Sequence, residues 1–171
     1  MRALPALLAA ALPLVALSIG PATAEDSKPE RTHGDCTVTA GPRDRVAVDH
    51  DLVIPAGAEV DQAVAMRGSL VVERGARVRK AAAAGGSVTL RPGAVVTGEA
   101  LAIGGDVVLE GDARVEGNAV SLGGQVRIAP GAKVGGEVTS LSLQLGGQSL
   151  ARAVLDGLKA QGPCRVVPEA K

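Results

Sequence analysis

A coil-length repeat constrains this chain more than any other feature. Residues 104–122 follow the template GGxVxLxxGAxVxGxxxxL, with Asp112 in place of its third glycine. Residues 85–103 and 123–136 follow the same template on either side. A period of 18 or 19 residues with paired glycines and Val-x-Leu steps is the signature of a solenoid, in which each repeat buries its apolar side only against its neighbours.

Five turns align by a first strand, at Leu52–Ile54, Leu70–Val72, Val88–Leu90, Val107–Leu109 and Val126–Ile128. Each has apolar first and third residues, the alternation of a half-buried strand. A second short strand follows at Ala58–Val60, Ala76–Val78, Ala94–Val96, Ala113–Val115 and Ala132–Val134, with a charge at its middle in four of the five. A third is expected at Val64–Met66, Ala81–Ala84, Leu101–Ile103, Val120–Leu122 and Leu141–Leu145. Gly57, Gly75, Gly93 and Gly131 mark the corner before the second strand. Asp112 is expected to hold that left-handed place in the fourth turn. Three strands per coil predict an all-β, three-sided parallel β-helix of about five coils, spanning residues 46–147. Inward positions of the fourth coil are read as Val107, Leu109, Ala113, Val115 and Leu122, and outward ones as Val108, Arg114 and Ser121.

Composition agrees with a narrow rod. The chain has no Phe, Tyr or Trp, and ladders of Val, Leu, Ile and Ala fill such an interior without them. The same lack removes stacking platforms for bases or sugars.

The ends differ from the repeats. Residues 1–24 carry Arg2, an apolar run from Leu7 to Leu17 and the small-x-small stretch Ala22-Thr23-Ala24, which reads as a secretory signal peptide cleaved after Ala24. Export to the periplasm, cell surface or medium is therefore expected. Cleavage leaves 17 basic against 18 acidic residues, a net charge of −1, so no electrostatic footprint for nucleic acid or anionic lipid is expected. No later stretch is long and apolar enough to span a membrane as a helix. Residues 25–45 read as a flexible leader and N-terminal cap, with a short strand near Cys36–Thr39.

Residues 148–171 change period. Leu150, Val154, Leu155 and Leu158 fall on one face of a helix between Ser149 and Lys159, stopped by Gly162-Pro163. The helix is expected to fold back along the third-strand face, where Ala65, Ala82 or Ala83, Ala102 and Ser121 are read as outward, or along the first-strand face (Val53, Val71, Thr89, Val108, Arg127). Capping the last coil is the alternative. Folding back would carry Cys164 toward Cys36. An exported pair of cysteines suggests a disulfide, within the chain or between chains.

Clusters that carry chemistry are sparse. His33-Gly34-Asp35-Cys36 and Asp49-His50-Asp51 are short polar groups outside the repeats, and neither completes a zinc set of four ligands. No P-loop, nucleophile elbow or dinucleotide fingerprint occurs. No catalytic residue, cofactor or metal is expected, and the acids alternate with Arg and Lys as on a solvated surface.

The segments Val88–Gly98, Val107–Gly117 and Val126–Gly136, each VxLxxGAxVxG or close to it, resemble the bactofilins, bacterial polymer-forming cytoskeletal proteins. The resemblance covers about residues 46–145 and implies a right-handed, three-sided β-helix that assembles end to end without nucleotide. The signal peptide, the absence of aromatics and the C-terminal helix with its cysteine depart from that pattern. The expectation is an exported, non-enzymatic scaffold or polymer-forming protein of the cell envelope, with Leu52, Ile54, Val126, Ile128 and Leu141 near its stacking ends. The alternatives are an adhesin-like surface-binding module and, below it, an envelope polysaccharide-active enzyme.

Overall fold

A computed structural model of the chain describes residues 37–142 and, beyond them, 144, 145, 148, 149, 153, 156, 157 and 164–168. Strand β1 (Thr37–Ala40) and strand β2 (Arg45–Val48) precede the first full coil. That coil is β3 (Leu52–Ile54) and the long β4 (Glu59–Met66), and the second repeats it as β5 (Leu70–Val72) and β6 (Arg77–Ala84). The third coil has three strands, β7 (Val88–Leu90), β8 (Val95–Val96) and β9 (Ala100–Ile103). So do the fourth, β10 (Val107–Leu109), β11 (Arg114–Val115) and β12 (Ala119–Leu122), and the fifth, β13 (Val126–Ile128), β14 (Lys133–Val134) and β15 (Val138–Leu141). A small hairpin, β16 (Gln144–Leu145) with β17 (Gln148–Ser149), and strand β18 (Arg165–Pro168) complete the set.

Coils stack with every like strand parallel and in register. On the first face Leu52, Leu70, Val88, Val107 and Val126 lie one above another. On the second face Glu59, Arg77, Val95, Arg114 and Lys133 do the same. The third face has six strands, because Arg45–Val48 lies beneath Ala63–Met66. The rod thus begins one strand earlier than the repeat alone suggests. Its last third-face strand is Val138–Leu141 rather than Leu141–Leu145, since Leu122 pairs with Leu141.

The change from an 18- to a 19-residue coil has a local cause. Val78 pairs with Val96 and Ala81 with Ala100, so the extra residue sits at the corner between second and third strands. Gly98 occupies it, and a side chain there would place a carbon 2.6 Å from the Arg79 carbonyl oxygen. In the first two coils one eight-residue strand runs through this corner unbroken.

The interior is a set of ladders. Ile54, Val72, Leu90 and Leu109 are fully buried, as are Leu70, Val88 and Val107 beside them. Opposite them the third face points alanine inward: Ala63, Ala81, Ala100 and Ala119, and then Ala65, Ala83 and Ala102 followed by Ser121. Alanine fits because the branched residues of the other two faces already fill the narrow section. Ala65, Ala102 and Ser121 were expected outward, and this corrects them. The outward residues of that face are Val64, Met66, Leu101, Ile103, Val120 and Leu122, with Ala82 and Ala84 in the second coil, all half-buried; Leu122, expected inward, is corrected with them. Ser121, the one buried polar side chain among the described residues, donates its hydroxyl to the Gly105 carbonyl at 2.9 Å.

A second correction concerns the fourth corner. The positive φ falls on Gly111 (50°), not on Asp112. Ala113 N–H still closes the turn on the Glu110 carbonyl, as Ala94 does on Arg91. The left-handed residue has moved to the first central position, where the chain supplies glycine.

Candidate assembly surfaces

The two ends of the rod are unlike. At the first coil Ile54 is fully buried and Leu52 half-buried, and Ala47 and Val60 are buried as well. At the last coil Ile128 and Val138 occupy inward positions, paired with the fully buried Leu109 and Ala119, yet they are 44% and 46% exposed. Val126 and Val134 are half-buried beside them, and Leu141, an outward residue, is 46% exposed. Of the five residues expected near stacking ends, three (Val126, Ile128, Leu141) thus belong to the more open end, and two (Leu52, half-buried, and Ile54, buried) to the more covered one. Each like coil above the first covers this row completely, so the apolar section is cut open at one end of the described rod.

Backbone and side-chain hydrogen bonds run to the same end. At the corner that opens the first strand, Ser69 N–H donates to Asp51 Oδ1 at 2.7 Å, Ser87 N–H to Ser69 Oγ at 3.4 Å, Asp106 N–H to Ser87 Oγ at 3.0 Å and Gln125 N–H to Asp106 Oδ1 at 2.8 Å. Each coil caps an amide of the next by one short polar side chain. Gln125 stands at the top of this ladder. Sequence reasoning missed the ladder because the residue type varies from coil to coil; its signal was the polar residue that follows each glycine pair.

Charge is distributed around the sides. Arg91 reaches Glu110 at 3.1 Å and Arg127 reaches Asp106 at 3.0 Å, each from one coil to the next. On the second face a shallow groove of about 210 Å³ is lined by Arg43, Glu59, Asp61, Arg77, Arg79 and Thr97, among others. Asp61 stands 3.7 Å from Arg43 and 3.8 Å from Arg79. All of these side chains are substantially open to solvent, so the groove is a loose ionic network of little energetic weight. Asp49 and Arg67 form a bidentate pair, and the Arg67 hydrogen bond holds the Asp49 carboxyl below its ordinary range.

Strand β18 pairs in parallel with β1, Thr37 opposite Arg165 through Ala40 opposite Pro168. The chain that leaves the last coil therefore returns to the start of the rod. Cys164 directly precedes β18, and Cys36, which lies outside the described residues, precedes β1 in sequence. Of the expected helix, Ala153, Asp156 and Gly157 are described, helical and exposed; Leu150, Val154, Leu155 and Leu158 lie outside the described residues, as do residues 1–24. Among the described residues no group of three or more His, Cys, Asp and Glu is gathered as a metal site, and no helix is long and apolar enough to cross a membrane.

No family model, no curated protein and no solved structure matches this chain.

Proposed function

We propose that this chain is an exported, non-enzymatic β-helical scaffold that self-associates through the open end of its rod at the cell envelope. The observation that carries the reading is the exposure of Ile128 and Val138 at positions that every inner coil buries. Apolar surface is driven from water, at about 25 cal/mol per Å², and unpaired strand edges template another strand. The first 24 residues, read as a signal peptide, place this activity outside the cytoplasm. The VxLxxGAxVxG repeats, by their likeness to the bactofilins, favour assembly over catalysis.

The reading includes a disulfide between Cys36 and Cys164. It is supported by the β1–β18 register, whose first pair, Thr37 opposite Arg165, follows each cysteine directly in sequence, and by the absence of a free thiol at the described Cys164.

Size-exclusion chromatography and electron microscopy of residues 25–171, with and without reductant, test the reading. Oligomers or filaments that Ile128→Arg disperses while leaving the β-sheet circular dichroism unchanged are the expected result. A wild-type chain that stays monomeric at high concentration overturns self-association.

A further inference from the structure

The outward side of the third face is apolar from one end of the described rod to the other. Each of its six strands, β2, β4, β6, β9, β12 and β15, turns two side chains outward, and none of these is charged. All are half-buried, as Val71, Thr89 and Val108 are on the first face, except Leu141, which is exposed. Parallel sheets are ordinarily covered on both sides, and a contiguous apolar patch marks a contact site.

The strip is stepped. In the second coil it presents only Ala82 and Ala84, and in the third, stacked on them, Leu101 and Ile103. A hollow thus runs across the strip directly beside a ridge. The boundary between them is also the middle of the strip, with β2, β4 and β6 on one side and β9, β12 and β15 on the other. A two-fold axis along the strands at this boundary turns a second copy over, so that the ridge of each copy enters the hollow of the other. Val64 and Met66 then face Val120 and Leu122 of the second copy.

Charge along one edge of the strip selects the same arrangement. Gln62, Lys80, Glu99 and Asn118, all exposed, stand directly before the inward alanines that begin the four central rungs. The two-fold axis sets Lys80 opposite Glu99 of the second copy, and Glu99 opposite Lys80 of the second copy, with Gln62 facing Asn118. At the outermost rungs Asp44 meets Glu137, an adverse pair softened because Asp44 accepts the Gly41 N–H at 2.8 Å. Rods packed parallel instead meet ridge on ridge and hollow on hollow, and leave Lys80 and Glu99 facing Gly85 and Gly104. Complementary charge of this kind fixes register more than it adds affinity.

We propose that the third face pairs with the third face of a second copy, the two rods lying side by side and antiparallel. Outward residues spaced about 4.8 Å between strands and about 6.7 Å along them make a plane of roughly 390 Å² per copy. That is about half the share of one partner in a standard interface, so a single pair of rods is held weakly. Rods joined at their ends repeat the contact along their length and gain avidity. The lateral contact uses none of the residues of the open end and goes beyond end-on self-association.

Sedimentation equilibrium of residues 25–171 carrying Ile128→Arg isolates the lateral contact, because the end contact is removed. At several hundred micromolar a monomer–dimer equilibrium is expected. Lys80→Glu alone, or Glu99→Lys alone, is expected to weaken it about tenfold, since two symmetric exposed pairs turn from attraction to repulsion. The two substitutions together are expected to restore it, and Leu101→Asp to abolish it. Val120→Asp replaces Leu101→Asp where circular dichroism shows that the variant has not folded. A rod that stays monomeric overturns the pairing and leaves the face to the chain's own tail or to another protein. A dimer indifferent to Leu101→Asp overturns the choice of face, and single reversals that the double variant does not rescue overturn the antiparallel arrangement.

Discussion

At the residue scale, two adjacent corner positions use glycine for different reasons. The first of each pair holds a left-handed backbone: φ is 87° at Gly85, 78° at Gly104 and 87° at Gly123. In the two earliest coils Asp49 (66°) and Arg67 (58°) hold that place, clamped to each other by the bidentate ion pair. The second of each pair is small because the preceding coil is close; a side chain on Gly86 would sit 2.5 Å from the Gly68 carbonyl oxygen. Gly86→Ala is therefore expected to destabilise by about 3 kcal/mol or more, among the severe single substitutions. Gly57→Ala, whose site has a φ of 70° but nothing within 4 Å, is expected to lose only about 1 kcal/mol. Thermal or urea unfolding of the two variants separates close approach from backbone conformation. The Asp49 carboxyl is held low by its hydrogen bond from Arg67. A group whose folded pKa is depressed contributes stability above its unfolded value, about 3.9, and loses it as pH falls through the folded value. The difference in melting temperature between wild type and Asp49→Asn is thus expected at neutral pH and should vanish in acid below that range.

At the scale of the strand and its corner, the polar ladder does for the rod what caps do for a helix. Ser87 Oγ accepts from the Asp106 amide at 3.0 Å and is itself half-buried. Ser87→Ala leaves that amide without its partner, and a loss of about 1 kcal/mol is expected. Leu109→Ala, in the filled section between fully buried Leu90 and the open last coil, is expected to cost about 3 kcal/mol. Denaturant titration of both variants checks the ranking; equal effects would mean that the section around Leu109 collapses to fill the space.

At the scale of the whole molecule, the first and last strands are held together across the rod by β1–β18 pairing. The proposed disulfide between Cys36 and Cys164 would close a very long loop, for which about 5 kcal/mol is expected from restriction of the unfolded chain. Cys164→Ser, or reductant, is expected to lower the melting temperature accordingly and to free the C-terminal tail to proteolysis, while the inner coils keep their protection. An unchanged melting temperature would show that the two thiols are not joined. The more open end of the described rod also limits the geometry of association: like ends meeting like ends close into a dimer, whereas filament growth needs the opposite, more covered end as well.

Much of this was legible in the residues themselves. The strand positions of the first two faces, their register and the corners at Gly57, Gly75, Gly93 and Gly131 follow from a period that repeats in the chain, because a stacked coil must place like residues above like. The parity of the third strand was not legible. Its alternation of alanine with larger apolar residues reads equally well either way, and only the width left between the other two faces decides that Ala65, Ala102 and Ser121 go inside. Tertiary structure alone also decided which end is the more covered and that the tail returns to β1, the latter through a pairing of segments more than a hundred residues apart, which no local pattern encodes.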